Sequence, residues 1–184
     1  MFWEKPIQAW DDSNNVGLRS AYVASALATS KFFAPASKGL IVNVSSVGGL
    51  KYAGFVSDVA YGVGKCALDR LSNDMATELR KVGVACVSLW PGMVRTEINE
   101  SMSKLDQIMA GDAAESVEFS GMGVVALACH PEIALALSGK VLMTTELAEQ
   151  FSFVDVDGQT PKSIDHVALR RQMERPPKWW SSKL

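Results

Sequence analysis

Two nearly continuous apolar runs constrain the fold of this chain more than any other feature. The runs are "LIVNV" at residues 40–44 and "VGVACVSLW" at residues 82–90, and both are apolar nearly throughout. Such runs are typical of parallel strands that are covered on both faces. A shorter run, "SGKVLM" at residues 138–143, predicts a third strand. Helical segments separate the three runs, and this alternating order predicts a parallel α/β sheet.

Two long helices are predicted from the spacing of apolar residues. The first covers about residues 7–33, where apolar residues recur at helical spacing. The second covers about residues 59–82. Asp58 is a suitable N-cap for it, and "RKVG", which ends at Gly83, supplies the basic residues and the glycine that helix ends prefer.

The stretch "AYGVGK" at residues 60–65 has two interpretations. A phosphate-binding loop would need glycine at position 59 and serine or threonine at position 66, where the chain has Val59 and Cys66. A dinucleotide-binding turn would need a buried strand before it, and "AGFVSDV" does not read as one. On a helix, Tyr61 and Lys65 lie one turn apart on the same face. The surrounding periodicity favours the helix.

Three candidate parts of a binding site are expected at one edge of the predicted sheet. Ligands of parallel α/β sheets bind at the carboxyl ends of the strands. Ser45 and Ser46 end the first strand, "WPGMVRT" at residues 90–96 ends the second, and Tyr61 lies in the first turn of the helix between them. A cation beside a tyrosine favours the phenolate. The Tyr61–Lys65 pair can therefore donate or accept a proton at a carbinol oxygen.

The composition excludes several classes of protein. With 184 residues the chain is long enough for one domain, expected over 1–184, with helices over 96–130 and an irregular extension over 145–184. The net charge of −2 gives no sign of a nucleic-acid-binding surface. No apolar run approaches the roughly 18 residues of a membrane span, and the start of the chain lacks the apolar core of a signal peptide.

The three cysteines, Cys66, Cys86 and Cys129, are expected to be reduced core residues of an intracellular protein. They are odd in number, isolated and embedded in apolar segments. No spacing of carboxylates or histidines completes a metal-binding loop, so no metal is expected. The "DVDG" stretch at residues 155–158 is predicted to be a turn.

The motifs "IVNVSS", "YGVGK" and "LWPGMVRTEI" follow one another as they do in the short-chain dehydrogenase/reductase family. Over about residues 2–145 the chain resembles this family. The opening "FWEKPIQAWDDSNNVGLRSAY", the "DVDG" segment and the "PPKWW" tail further resemble one particular member. The resemblance implies the C-terminal portion of a Rossmann-like doubly wound parallel sheet, with about three strands and flanking helices.

The resemblance also implies an active site that uses NAD or NADP. Tyr61 would be the general acid or base, Lys65 would favour its ionisation, and Ser46 would hydrogen-bond the substrate carbonyl. The residues implied at the cofactor are Tyr61, Lys65, Pro91, Gly92, Val94 and Thr96, with the Val94 amide and the Thr96 hydroxyl at the carboxamide. The implied reaction is hydride transfer between NAD(P) and a small-molecule carbonyl or alcohol.

Three departures from the family pattern bear on the activity. Gly17 stands where the family has an asparagine that helps to hold a relay water, and Asn14, one turn earlier, is a candidate to replace it. The loop between Ser46 and Tyr61 is longer than usual. The glycine-rich turn and the first strand–helix units of the family, roughly 100 residues, have no counterpart. This predicts a truncated form with an open edge on its first strand.

Two alternatives to an active dehydrogenase stay open from the sequence. One is a non-enzymatic product that binds a full-length relative through the helices at 7–33 and 59–82. The other is a sugar-nucleotide epimerase, which can share Tyr-x-x-x-Lys, although the Pro-Gly-x-Val-x-Thr run at 91–96 favours the dehydrogenases. The family commonly dimerises through the same two helices, so the resemblance implies a homo-oligomer.

The last three residues, Ser182-Lys183-Leu184, match a receptor-read peroxisomal address. Because the position is fixed, such a match arises by chance on the order of once in a few thousand chains. An ordinary frayed tail is the alternative. The sequence therefore predicts an intracellular protein that is peroxisomal if the address is read and cytoplasmic otherwise.

Overall fold

The N-terminal part of the chain forms one long helical run. The computed structural model describes residues 1–50, Tyr52, 58–96 and 114–161. After a 3₁₀ turn at Phe2–Glu4, the run (residues 8–36) consists of α1 (Gln8–Asp11), a π-helical stretch (Asp12–Arg19), α2 (Ser20–Ala28), a second π-helical stretch (Thr29–Phe33) and α3 (Ala34–Ala36). The predicted first helix is confirmed. Its only buried residue is Ser25, so the run lies on the surface.

The strands form one parallel sheet and one short parallel pair. They are β1 (Gly39–Val44), β2 (Val84–Trp90), β3 (Met93–Val94), β4 (Ala114–Glu115) and β5 (Val141–Met143). The sheet has the order β1–β2–β5, with Gly39 opposite Val84, and β3 pairs with β4. The three predicted strands are confirmed. Among the described residues β1 pairs with β2 alone.

Helix α4 (Val59–Leu79) connects β1 to β2 and begins at the predicted N-cap. The Asp58 carboxylate accepts a hydrogen bond from the Tyr61 backbone N–H at 2.8 Å. Lys5 Nζ contacts the same carboxylate at 2.5 Å, and this contact is the main reason why the pKa of Asp58 is lowered. The helical segment ends at the predicted glycine, Gly83, whose φ of 68° suits a residue without a side chain.

Three helices follow in the described C-terminal part: α5 (Val117–Cys129), α6 (Pro131–Ala136) and α7 (Thr144–Phe151). Of the helices predicted over 96–130, α5 lies in the described part, and residues 97–113 lie outside the described residues. The irregular extension predicted over 145–184 contains a helix at its start, where Thr144, Leu147 and Ala148 are buried at helical spacing in α7. Residues 162–184 of this extension, with Ser182–Leu184, lie outside the described residues. None of the described helices is long and apolar enough to cross a membrane.

Strand β2 lies at the centre of the core, and all seven of its residues are buried. Ala85, Val87 and Leu89 pack in one cluster, whereas Val84 and Cys86 pack in another. The other buried members of the first cluster are Leu127, Ala134, Leu142 and Leu147, and those of the second are Ile41, Ala76 and Leu79. Alternate residues of one strand therefore pack against helices on opposite faces of the sheet, as the apolar run predicts.

Buried polar side chains join α4 to the sheet. Asn43 Nδ2 on β1 donates to Ser72 Oγ at 2.9 Å, and Ser72 Oγ donates to the Leu68 carbonyl at 2.8 Å. The Asn43 amide also lies 3.9 Å from Cys86 Sγ. Because a buried polar group without a partner is costly, these contacts fix where α4 lies along β1.

The cysteines are free thiols, but only Cys86 lies in the core. Its burial in β2 raises the pKa of its thiol to about 12. Cys66 and Cys129 are exposed, which corrects the prediction of three core cysteines. They lie on the outward faces of α4 and α5, and apolar neighbours in sequence do not bury a residue on that face of a helix.

Candidate functional site

The glycines of "AYGVGK" serve helix packing. The stretch lies inside α4, so the helical interpretation is confirmed. A Cβ at Gly62 would lie 3.1 Å from the carbonyl oxygen of Gly48, and a Cβ at Gly64 would lie 3.0 Å from Asn14 Oδ1. The two glycines therefore let the turn after β1 and the first helical run approach the first two turns of α4.

Tyr61 and Lys65 lie on consecutive turns of α4, and both are half-buried. Lys65 Nζ lies 5.5 Å from the centre of the Tyr61 ring and donates to the Val44 carbonyl at 2.8 Å. Val44 is the last residue of β1, so the ammonium group is held at the carboxyl end of the sheet. Burial lowers the pKa of Lys65, and the charge of Asp69 opposes this shift.

The two serines after β1 have different surroundings. Ser45 is 4% exposed, and its Oγ donates to the Lys65 carbonyl at 3.0 Å. Ser46 is half-buried, and its Oγ accepts from the Gly48 backbone N–H at 3.1 Å, where it caps a 3₁₀ turn. An accepting hydroxyl keeps its own proton for donation. This difference favours Ser46 over Ser45 as a donor to a substrate.

Asp69 is a residue of this site that the sequence motifs did not identify. It lies one turn after Lys65, and its carboxylate accepts from Ser88 Oγ at 2.5 Å and from Trp90 Nε1 at 3.0 Å, both on β2. Burial raises the pKa of Asp69, and the side chains of Ser88, Ser45 and Trp90 and the charge of Lys65 oppose the rise. The carboxylate ties α4 to β2. Its four-residue spacing from Lys65 is the signal that could have found it.

The segment 91–96 follows β2 and is held by two buried carboxylates. The Glu115 side chain accepts from the Gly92 backbone N–H at 3.0 Å, and β3 within the segment pairs with β4. The Arg95 guanidinium donates to Asp155 at 3.3 Å. The residues that the resemblance assigned to the cofactor here are Pro91, Gly92, Val94 and Thr96, of which the glycine is exposed and the others are half-buried.

Asn14, and not Gly17, approaches α4. Its Nδ2 donates to the Trp10 carbonyl at 3.0 Å and lies 3.5 Å from the Ala60 carbonyl. Nothing lies within 4 Å of a Cβ placed at Gly17, which belongs to the first π-helical stretch. The Asn14 amide is therefore beside the turn that carries Tyr61, while its part in a water relay stays a prediction.

The side chains at this edge include several hydrogen-bond donors. Lys65 has three N–H donors, and its bond to the Val44 carbonyl uses one of them. The Tyr61 side chain provides a proton donor and acceptor on the same face. The described residues contain no group of three or more His, Cys, Asp or Glu side chains that could hold a metal ion.

Comparison with known proteins identifies the family. A family model described as short chain dehydrogenase matches residues 1–107, which is more than half of the chain. The chain belongs to the short-chain dehydrogenase family. The matched range includes the serines after β1, the Tyr-x-x-x-Lys pair and the segment after β2, so the resemblance seen in the sequence is confirmed.

Two curated relatives match nearly the whole chain. Dehydrogenase/reductase SDR family member 1 of Homo sapiens is 48% identical over 178 residues, which cover 91% of this chain and 55% of the human protein. The protein of the same name from Mus musculus is 50% identical over the same coverage. The chain thus spans about half the length of these relatives. A 3-alpha-(or 20-beta)-hydroxysteroid dehydrogenase of Mycobacterium tuberculosis is 37% identical over 90 residues, 48% of this chain and 34% of that protein.

Solved structures show the same fold. Acetoin dehydrogenase from Enterobacter cloacae superimposes with a TM-score of 0.63 at 23% identity, over 77% of this chain and 56% of that chain. The TT0495 protein from Thermus thermophilus gives 0.68 at 24% identity, over 77% and 61%. The expected fold, part of a Rossmann-like doubly wound parallel sheet, is confirmed.

Proposed function

We propose that this chain provides the proton-transfer groups and the nicotinamide end of an NAD(P)-dependent oxidoreductase that acts on a small-molecule carbonyl or alcohol. The observation that carries the proposal is the pair of Tyr61 and Lys65 on consecutive turns of α4, with Lys65 bonded to the end of β1. The family match supports this function over the non-enzymatic alternative.

Three side chains have separate tasks in the proposed reaction. Tyr61 exchanges a proton with the carbinol oxygen of the substrate, and the nearby Lys65 ammonium stabilises negative charge on the phenolic oxygen. Ser46 donates a hydrogen bond to the same substrate oxygen and orients the carbonyl. A bound nicotinamide dinucleotide supplies or accepts the hydride.

The proposed cofactor contacts divide between α4 and the segment after β2. Lys65 holds the ribose hydroxyls with the two donors that its bond to Val44 leaves. Residues that border the nicotinamide are Pro91, Gly92, Val94 and Thr96. Because the chain spans about half the length of its curated relatives, the complete activity is proposed for a protein that also contains the rest of the family domain.

Self-association and peroxisomal targeting are further parts of the proposal. Large apolar side chains on the first helical run are exposed, among them Val16, Tyr22 and Phe32, which supports a homo-oligomer formed through this run and α4. Light scattering that gives the mass of one chain would contradict self-association.

Ser182–Leu184 would direct the protein to peroxisomes. A fluorescent fusion that enters peroxisomes equally well without Leu184 would exclude this address.

The cofactor part is tested by fluorescence titration of the 184-residue chain with NADH and NADPH. We expect saturable binding in the micromolar range, and an increase in Kd of about tenfold or more for Lys65→Met, because two charged donors are lost. The control is Lys81→Met, which changes an exposed lysine just after α4. Tyr61→Phe is expected to bind as the wild type does, and to abolish turnover in a protein that also contains the rest of the family domain.

Two results would count against the proposal. Absence of saturable binding of either nucleotide would refute a cofactor site in this chain and leave the activity to the longer relatives. Equal turnover by the wild type and Tyr61→Phe would remove Tyr61 from the reaction.

A further inference from the structure

The carboxylate of Glu115 is fully buried and accepts hydrogen bonds from three donors. Its exposure is 0%, although it lies in a strand of two residues. Oε2 accepts from the Gly92 backbone N–H at 3.0 Å and from Thr144 Oγ1 at 2.6 Å, and Oε1 accepts from Ser120 Oγ at 2.7 Å. Burial of a carboxylate is costly unless its oxygens are hydrogen-bonded, so these three contacts are needed together.

The three donors come from separate elements of the sheet edge. Gly92 follows the carboxyl end of β2, Thr144 follows the carboxyl end of β5, and Ser120 lies in the first turn of α5. The backbone of Glu115 adds a fourth contact, because its carbonyl accepts from the Arg95 backbone N–H at 2.8 Å. Glu115 therefore holds the segment 91–96 at both ends, by its side chain at Gly92 and by its backbone at Arg95.

Asp155 holds the same region through Arg95 and Ser116. It is 3% exposed and accepts hydrogen bonds from the backbone N–H and the hydroxyl of Ser116, the residue next to Glu115. It also accepts from the Arg95 guanidinium. Burial raises the pKa of Asp155, but the bonds from Ser116 and the charge of Arg95 outweigh this effect, so the pKa is lowered. The ionised carboxylate fixes β4, to which the segment is paired.

We propose that Glu115 is a positioning residue for the nicotinamide end of the cofactor site: it holds the segment 91–96 in its binding conformation before the cofactor arrives. This inference rests on the proposed function, because the proposed function makes the nicotinamide the ligand of this segment. Ordering a loop on binding lowers affinity, so a segment that is ordered beforehand binds more tightly. Loosening it is expected to weaken NADH binding by about tenfold or more.

The test compares Glu115→Gln with the wild type and with the control Glu118→Gln, which changes an exposed glutamate three residues away. Glutamine has the same shape but keeps one acceptor oxygen, so the donors on one side of the group would meet NH₂ in place of an oxygen. Ser120→Ala is the milder second variant, since it removes one donor and leaves the carboxylate in place. The first readout is amide hydrogen exchange of residues 91–96 without cofactor, and the second is the Kd for NADH.

In Glu115→Gln we expect exchange at the Gly92 and Arg95 amides to rise about tenfold or more, while amides of β1 and the centre of β2 keep wild-type rates. Ser120→Ala is expected to change in the same direction and less, and Glu118→Gln not at all. Unchanged exchange at 91–96, or an equal rise throughout the sheet, would overturn the positioning role. Wild-type protein that binds no NADH would refute the proposed function and the cofactor part of this inference. The exchange rates would still decide whether Glu115 holds the segment.

Discussion

The start of α4 offers the sharpest test of how this site is built, through the substitution Asp58→Ala. Asp58 is the N-cap of the helix that carries the proposed catalytic tyrosine: its carboxylate accepts from Tyr61 N–H and pairs with Lys5. Alanine removes both contacts without filling or opening core space, because Asp58 lies at the partly exposed end of the helix.

The expected cost follows from the two contacts. Loss of an N-cap aspartate typically lowers stability by about 1 kcal/mol. The Asp58–Lys5 pair adds about 0.2–1 kcal/mol, and the lower part of this range applies because the two side chains are 30% and 49% exposed and solvent screens the pair. The free energy of unfolding should therefore fall by about 1–2 kcal/mol at pH 7.

The pH dependence of this cost has a definite sign. The pKa of Asp58 is lowered in the folded protein from its ordinary value of 3.8, first by the Lys5 contact and then by the Tyr61 N–H. A lowered pKa means that the ionised carboxylate stabilises the fold above the unfolded pKa, and that this stabilisation is lost as the pH falls through the folded pKa. The difference between Asp58→Ala and the wild type should therefore shrink as the pH drops below about 4.

Urea unfolding at a series of pH values from 7 down to 3 measures the effect. Asp58→Asn should lie between the wild type and Asp58→Ala, because asparagine keeps the cap acceptor and loses the charge. Asp74→Ala is the matched control: it breaks an exposed pair with Arg70 on the same helix and should cost clearly less, because solvent screens the pair. A loss in Asp58→Ala that equals the control, or that is the same at pH 7 and pH 3, would refute the reasoning.

Three other expectations concern the core and the thiols. Asp69→Ala should lower the free energy of unfolding by about 2–4 kcal/mol, because a buried hydroxyl and an indole N–H lose their shared acceptor. Urea titration followed by tryptophan fluorescence measures this loss, and a loss smaller than that of the Asp74→Ala control would contradict the prediction. Leu127→Ala should cost about 3–5 kcal/mol in the same assay, since Leu127 is 0% exposed, and a loss under half of this would mean that its cluster closes over the cavity. A thiol reagent should label Cys66 and Cys129 in native protein and Cys86 only after unfolding; labelling of all three at one rate would contradict the described burial.

The elements that hold the proton-transfer pair could be predicted because their signals are local. The apolar run of β2, the cap at Asp58 and the stop at Gly83 lie within a few residues of the structure that they specify. The spacing of Tyr61 and Lys65 then fixes one face of one helix. Predictions of this kind need no knowledge of what packs against the helix.

The carboxylates around the site could not be predicted in this way. Asp69, Glu115 and Asp155 meet partners that are 19, 23 and 60 residues distant in sequence. Such contacts exist only after the sheet and helices have come together. The spacing of Asp69 from Lys65 gives its place on one face of a helix, but the sequence gives no sign of its partners or of those of Glu115 and Asp155. "DVDG" does form a turn, with Gly158 at a φ of 78°, but the partners of its first aspartate depend on tertiary packing.

The buried hydrogen bond between Asn43 and Ser72 determines how substitutions that loosen α4 would affect the site. A helix that slides by one turn moves about 5.4 Å, and at any intermediate setting the amide and the hydroxyl would face apolar surface. Helix α4 therefore has one position on the sheet in which the amide and the hydroxyl are both hydrogen-bonded. Positions close to it leave both groups without a partner. Substitutions that weaken this hydrogen bond should lower the fraction of molecules in which α4 holds Tyr61 in its native position. The molecules that keep this position should have an unaltered site. In the proposed reaction, variants whose two helix positions do not interconvert during turnover would lose maximal rate in proportion to the lost fraction and keep the KM of the intact protein.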